Sequence, residues 1–247
     1  METLIDYNSL FPSFFLMFCL IYLVGYSIVF RNWNPKHRPD ASSSFISLFH
    51  GTPAVLLAVF ALLTQPSWSF ASPNTGIDNL VLDFSIAYFT VDLLHYLILI
   101  PRDYLFIAHH LATLFVFITC RCLVLHGSFA LLVLLVLAEI TSPFQNIWTL
   151  SRLRQTESSH AAKLHQFLSL PFYTLYTIMR GFAGPLFFYK MSAYYLSGKA
   201  DDVIPRWVSI LWVIIIGSAI GVSILWISNH WAELRNECRY DAEKKQR

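Results

Sequence analysis

The feature that most constrains this chain is a series of long apolar segments separated by short polar connections. A helix needs about 20 mostly apolar residues to cross the hydrocarbon core of a bilayer. Seven segments of that kind follow one another: 11–30, 45–64, 78–100, 104–123, 128–150, 165–190 and 206–228. Only 13% of the 247 residues are charged, against about 25% in a typical soluble domain. The sequence therefore predicts an all-α membrane protein with about seven transmembrane helices.

The distribution of Lys and Arg among the connections predicts the orientation in the membrane. Basic residues concentrate in 31–44, in 151–164 and in the tail after residue 229, whereas 65–77 has none. Cytosolic loops carry an excess of Lys and Arg. The N-terminus is therefore predicted on the outer or lumenal side, and the C-terminus in the cytosol.

The C-terminal residues "KKQR", 244–247, resemble an address signal. Lysines at the third and fourth positions from a cytosolic C-terminus are typical of the dilysine signal that returns membrane proteins to the endoplasmic reticulum. The alternative is an ordinary basic tail beside the membrane. The signal predicts a multi-pass protein of the endoplasmic reticulum.

Ionisable side chains inside the predicted spans are the main candidates for function. Each costs about 2.5–3.5 kcal/mol to insert, so those present usually face the bundle interior and often mark a site. They are Asp83, Asp92, His95, His109, His110, Glu139 and Arg180, with His50 near the start of the second helix. From the helical rise per residue, Asp92, His95 and the His pair lie at similar depths on neighbouring helices.

The adjacent His109 and His110 in "FIAHHLATLF" point about 100° apart on a helix. We therefore expect one to act while the other positions it. A neutral imidazole suits general base catalysis, with Asp92 fixing its tautomer, and it can also carry an acyl group as a nucleophile. The alternative is a helix-to-helix hydrogen bond, worth about 0.6 kcal/mol. Adjacent positions do not favour a metal site, and we expect no cofactor.

Two further stretches carry unusual polar residues. In "AEITSPFQN", 138–146, the Thr-Ser-Pro run is predicted to interrupt the fifth helix just after Glu139, with Asn146 one turn later. In "IMRGFAGP", 178–185, Arg180 lies beside glycine and proline. An Arg180–Glu139 ion pair is one interpretation of these two charges.

Other protein classes are less consistent with the sequence. The net charge of +2 gives no reason to expect a nucleic-acid partner. A seven-helix receptor has the same topology, but no Asp-Arg-Tyr follows the third segment and no Asn-Pro-x-x-Tyr occurs in the seventh. The four cysteines form no disulfide or zinc pattern.

The polar motifs together resemble the TLC-domain family, which includes ceramide synthases and TRAM proteins. The stretches "YFTVDLL", "FIAHHLATL", "AEITSPFQN" and "YTIMRGFAGP" occur in order on the third to sixth predicted helices. The pattern Glu-x-[Ser/Thr]-[Ser/Thr]-Pro-Phe-x-Asn is similar to a plant-like member of the branch outside the ceramide synthases. The resemblance implies six helices in a barrel around a lipid-accessible cavity, within a TLC domain at 38–232. An extra N-terminal helix would lie in 1–37, and a basic cytosolic tail in 233–247.

The resemblance implies a role in lipid homeostasis, with membrane lipids as partners and acyl-CoA as a co-substrate if acyl transfer occurs. In ceramide synthases the histidine pair belongs to the acyl-transfer site, so the candidate catalytic residues are His109, His110 and Asp92. The candidate cavity and lipid-binding residues are His95, Glu139, Asn146 and Arg180.

One difference from the ceramide synthases restricts the reactions that the resemblance implies. They carry two aspartates spaced three apart in the next helix, where this chain has Glu139 as its only carboxylate. That difference argues against N-acylation of a sphingoid base. Acyl transfer to another acceptor and lipid binding without chemistry remain as the alternatives.

Overall fold

The computed structural model describes residues 9–65 and 67–246, with side chains described as far as residue 236. In this part of the chain the regular structure is helical, and the only β-type contact is an isolated bridge between Pro73 and His126. The helices are α1 (Phe11–Val24), α2 (Arg38–Thr64), α3 (Gly76–Leu99), α4 (Tyr104–Ile118), α5 (Ser128–Glu139), α6 (Ser142–Arg154), α7 (Ser159–Tyr176), α8 (Gly184–Leu196) and α9 (Arg206–Gln246). Three π-helical segments, Gly25–Val29, Thr119–Val124 and Thr177–Ala183, directly follow α1, α4 and α7.

Six helices in the described residues are long and apolar enough to cross a membrane, which confirms a multi-pass all-α protein. They cover 11–29, 38–64, 76–99, 104–124, 128–154 and 206–236. The remaining predicted span, 165–190, lies inside the helical run from α7 to α8, which is not among the six. Arg180 and several prolines and tyrosines lower its mean hydropathy.

The run from α7 to α8 nevertheless reaches from one end of the bundle to the other. In its first third, Ser169 Oγ accepts a hydrogen bond of 2.9 Å from Trp148 Nε1 in α6. Near its end, Tyr195 Oη donates one of 2.9 Å to the Phe70 carbonyl in the connection between α2 and α3. That connection and the end of α6 lie at opposite ends of the bundle, since α3, α4 and α5 run back and forth between them.

The helices form a closed ring around an internal space. Proceeding around the ring, α2 contacts α3, α3 contacts α4, and α4 contacts α9. The ring closes because α9 contacts the α7–α8 run, which packs on α5 and α6, and these pack on α2. Helix α1 lies outside this ring against α3 and α2, and most of its surface is exposed. This arrangement is the six-membered barrel with one extra N-terminal helix that the resemblance implies.

A buried ion pair attaches α1 to the ring. Arg121 Nε lies 2.9 Å from Asp83 Oδ1, and both side chains are largely buried. The other oxygen, Asp83 Oδ2, accepts hydrogen bonds from the Leu10 amide at 3.0 Å and from Ser9 Oγ at 3.3 Å, just before α1 begins. Asp83 therefore has a structural explanation, and it lies away from the His pair.

The connections at the predicted lumenal end are tied together by a polar network. Asp78 Oδ2 accepts hydrogen bonds from Gln65 Nε2 at 3.0 Å, from the Thr75 amide at 2.9 Å and from Ser128 Oγ at 2.9 Å. Gly127 adopts φ +86°, a left-handed conformation that favours glycine. This network joins the starts of α3 and α5 to the end of α2.

We expect Gly51→Ala to destabilise the fold by about 1–3 kcal/mol, the usual cost of overpacking. Gly51 lies where α2 meets the break between α5 and α6. A Cβ atom there would lie 2.8 Å from Ser142 Cβ and 3.1 Å from Glu139 Oε2. The melting temperature of the detergent-purified protein measures the effect. Gly221→Ala is the control, because its Cβ would meet nothing within 4 Å; equal melting temperatures for the two variants would contradict the prediction.

Candidate functional site

Two cavities lie inside the ring of helices and meet at one junction. The polar cavity has an empty volume of about 1350 Å³, and the apolar cavity has one of about 860 Å³, open space at their mouths included. Four residues line both cavities and define the junction: Phe89, His109, Glu139 and Arg180. Three of the four are ionisable residues that the sequence singles out.

The two cavities differ in chemistry and in position. Leu131, Leu135 and Ile216 are typical of the apolar cavity, which extends from the junction toward the start of α5. The polar cavity contains Asp103 and Arg152, which lie at the end of the bundle that the charge pattern assigns to the cytosol. An amphipathic molecule would therefore find a polar entrance and an apolar interior along one path.

His110 is held by two hydrogen bonds on the polar cavity's wall. Its Nδ1 lies 2.8 Å from the Phe106 carbonyl, which can only accept, so Nδ1 carries a proton and donates. Its Nε2 lies 2.8 Å from Asp92 Oδ2. The other oxygen, Asp92 Oδ1, accepts a hydrogen bond of 2.7 Å from Ser43 Oγ. Both ring nitrogens of His110 are therefore occupied, and neither is free to act as a base.

His109 has the opposite character. Its ring lies at 84° to that of His110, with ring centroids 5.9 Å apart, as the helix geometry predicts for adjacent residues. The Nδ1 atom is buried and has no hydrogen-bond partner within the described part of the chain. The side chain lines both cavities. His109 is thus the histidine that a ligand at the junction would contact.

The predicted interruption of the fifth helix lies at the junction. Helix α5 ends at Glu139, and α6 begins at Ser142 with Pro143 in its first turn. The break frees the Ala138 carbonyl, which accepts hydrogen bonds from Thr141 Oγ1 at 3.1 Å and from Arg180 Nη2 at 2.8 Å. Ser and Thr side chains are typical partners for carbonyls released in this way.

Asn146 stabilises the segment after the break. Its Nδ2 donates hydrogen bonds of 2.8 Å to the Ser142 carbonyl and of 2.8 Å to Ser47 Oγ on α2. The side chain is buried and belongs to the wall of the polar cavity. Asn146 therefore links α6 to α2 at the site.

Arg180 does not form the ion pair with Glu139 that the sequence suggests. No ion pair within 4.0 Å joins these two described residues; Arg180 instead bonds the Ala138 carbonyl and lies 5.0 Å above the Tyr176 ring. The helix break releases this carbonyl, which takes one of the N–H groups of the guanidinium. Arg180 Nε is buried and has no partner in the described structure. The residue lies in the π-helical segment Thr177–Ala183, and such segments are frequent at functional sites.

His95 lies apart from the other candidates. It is at the depth that the sequence predicts, but its Nδ1 lies 2.8 Å from Tyr22 Oη on α1. It lines neither of the two cavities. The structure thus places His95 at the contact between α1 and the barrel, away from the junction.

Two further side chains lie at the site, and neither was assigned to it from the sequence. Ser43 bonds Asp92, and its only sequence signal is the run of three consecutive serines, 42–44, at the start of α2. His50, an ionisable residue that the sequence singles out without a role, packs behind Glu139 with Nδ1 3.8 Å from Oε2. Among the described residues, no group of three or more His, Cys, Asp or Glu could hold a metal ion.

Comparisons with known proteins match most of the chain. The TLC domain matches residues 40–232 of this chain. A TLC domain-containing protein of Arabidopsis thaliana is 58% identical over 228 residues, which cover 92% of this chain and 90% of that protein. No solved structure matches the chain.

Proposed function

We propose that this chain, which belongs to the TLC-domain family of membrane proteins, binds a membrane lipid and acts in lipid homeostasis. The observation that carries this proposal is the junction between the polar and apolar cavities. A lipid would place its chain in the apolar cavity and its polar group at the junction. Ligand pockets usually combine apolar walls with a few convergent polar groups, as this pair of cavities does.

The polar groups at the junction suit the linkage region of such a lipid. Arg180 lines both cavities and uses one of its N–H groups on the Ala138 carbonyl, so a guanidinium with further donors is present at the junction, which favours a carbonyl or phosphate oxygen. The His109 ring and the Glu139 carboxyl lie on the same boundary. A ligand that forms hydrogen bonds with these groups would gain a stabilising contribution from each bond.

We expect Ala219→Phe to lower the amount of lipid that co-purifies with the protein about tenfold, or about 1.4 kcal/mol of binding. Ala219 lines the apolar cavity from α9, so the added ring would occupy space that the lipid chain needs. Ser218→Phe is the matched control, because Ser218 is the residue before Ala219 and its side chain is exposed on the outer surface. Mass spectrometry of extracted lipids measures the ratio, and equal lipid content in the two variants would contradict the proposal.

Acyl transfer is a second candidate, and His109 favours it, because its ring lines both cavities and makes no hydrogen bond within the described residues. The acyl donor would be a thioester such as acyl-CoA, with its thiol portion in the polar cavity. His109 would take the proton of an acceptor hydroxyl or amine as that oxygen or nitrogen bonds the acyl carbon. The C–S bond then breaks, and the leaving thiolate takes the proton from His109. In this scheme His110 and Asp92, which bond each other and not His109, hold the wall of the polar cavity beside the base.

The proposed location is the endoplasmic reticulum, with the tail in the cytosol. The "KKQR" residues that support this proposal lie outside the described side chains. We expect an N-terminally tagged protein with Lys244→Ser and Lys245→Ser to leave the endoplasmic reticulum, because the receptor reads those lysines. Arg235→Ser with Arg239→Ser removes the same charge and should not move the protein. Fluorescence microscopy distinguishes the two, and identical locations would contradict the signal.

A further inference from the structure

We infer that His50 and Glu139 form a second histidine–carboxyl pair, which makes the junction a subsite for a hydroxyl or amine group of the bound lipid. In this arrangement Glu139 contacts the ligand and His50 is its positioning residue. The inference rests on the proposed function, because it names the chemistry of the lipid group that the junction selects.

The His50 ring is held by Ser85 and Tyr88 and has one ring nitrogen without a partner in the described part of the chain. It is fully buried, and its Nε2 lies 3.1 Å from Ser85 Oγ on α3. The ring stacks on Tyr88 with centroids 4.0 Å apart and an interplanar angle of 8°. Its Nδ1 has no hydrogen-bond partner in the described residues, and it lies 3.8 Å from Glu139 Oε2. Buried polar atoms without partners are uncommon in proteins. The ionisable group that this nitrogen faces, and with which it could pair, is the Glu139 carboxyl.

The Glu139 carboxyl is held by one of its two oxygens. Oε2 accepts a hydrogen bond of 2.6 Å from Ser142 Oγ and faces His50. Gly51 allows α2 to approach this segment closely, since a Cβ there would lie 3.1 Å from the same oxygen. No hydrogen bond in the described structure uses Oε1, and Glu139 lines both cavities. One oxygen is fixed by the protein, and the other is available to a ligand.

A carboxyl oxygen at this boundary selects a hydrogen-bond donor. Hydroxyl and amine groups donate to a carboxylate, whereas ether and ester oxygens only accept. The Arg180 guanidinium, which lines both cavities, supplies the complementary donor at the same junction. The subsite therefore fits a lipid that carries a free O–H or N–H group close to the start of its apolar chain.

Three probes with the same chain length test this inference on the purified full-length protein. Hexadecanol and hexadecylamine carry a donor, and 1-methoxyhexadecane carries only an acceptor. Competition against a fluorescent fatty probe gives each affinity. Because a hydrogen bond to a charged group is stronger than one between neutral groups, we expect at least one donor probe to bind about tenfold more tightly than the ether.

Variants assign this preference to the two residues. Glu139→Leu should abolish the preference, and Glu139→Gln, which keeps an acceptor oxygen beside Ser142, should reduce it. His50→Phe keeps a ring to stack on Tyr88 and should also reduce the preference. His50→Asn should restore it, because its amide nitrogen overlays Nδ1. Melting temperatures identify any variant that fails to fold, and a purely structural His50 would not show the asparagine rescue.

The outcomes separate this inference from the proposed function. Equal affinities for all three probes in the wild-type protein would overturn the donor subsite and leave lipid binding intact. A donor preference that persists in Glu139→Leu would overturn the role of Glu139. If no probe binds, and Ala219→Phe has the lipid content of the wild type, the proposed function itself fails.

Discussion

Replacing Arg121 with methionine is expected to lower the free energy of unfolding by about 3–5 kcal/mol, because it leaves a buried carboxylate without its partner. Arg121 bonds both oxygens of Asp83, at 2.9 and 3.3 Å. Asp83 in turn holds the Leu10 amide at the start of α1. Loss of the pair should therefore loosen α1 from the barrel. The midpoint of unfolding in a denaturant titration measures the change.

Two further variants show which property of the pair matters. Arg154→Met breaks an exposed contact of 3.9 Å with Glu157, and exposed pairs contribute about 0–1 kcal/mol. Adding Asp83→Leu to Arg121→Met removes the unpaired charge, so the double variant should be more stable than the single one. If Arg121→Met unfolds at the same midpoint as Arg154→Met, the buried pair does not stabilise the fold.

The sequence predicted the helical architecture because the length and apolar composition of a segment are enough to identify a membrane-spanning helix. Each span needs about 20 apolar residues. Most of the predicted segment ends lie within a few residues of a helix end in the structure. The interruption after Glu139 was also predictable, since Pro143 cannot continue the backbone hydrogen bonding of α5. These features depend on local sequence alone.

The direction in which each polar side chain points was harder to predict. In a soluble helix, one polar and one apolar face indicate which side is buried. Here both faces of a span are apolar, so Asp92 and His95 look equivalent at similar depth. In the structure, Asp92 faces the polar cavity and His95 faces Tyr22 on α1. The sequence predicts the depth of Asp92 and His95 in the membrane. Which of the two faces the cavity depends on the packing of α1.

Partners distant in the sequence were not predictable for the same reason. Arg180 and Glu139 suggested a pair from charge alone, but in the structure Arg180 donates to the Ala138 carbonyl that the helix break releases. The position of His50 behind Glu139 depends on Gly51, which lets two helices approach closely. Both outcomes depend on how the backbones of separate helices pack. The charges and their spacing along the sequence do not predict that packing.

His109→Ala and His110→Ala are expected to fail in different ways. His109 has an unpartnered Nδ1 at the junction, so its loss should leave the unfolding midpoint almost unchanged. If His109 acts as a general base, the rate of lipid conversion should fall about 10²–10⁴-fold. His110→Ala should instead cost about 3–5 kcal/mol of stability, because Asp92 would remain buried without its partner. The exposed His160→Ala is the control for both.

The decisive comparison uses cells that lack the protein and are rescued with each variant at matched protein levels. Lipid analysis reports function, and the unfolding midpoint of the purified protein reports stability. If wild type and His160→Ala restore a lipid class that stable His109→Ala does not, His109 acts on that lipid. If His110→Ala is as stable as wild type yet inactive, His110 contacts the ligand despite its two hydrogen bonds. If both histidine variants restore the lipids fully, acyl transfer is excluded and the pair serves helix packing.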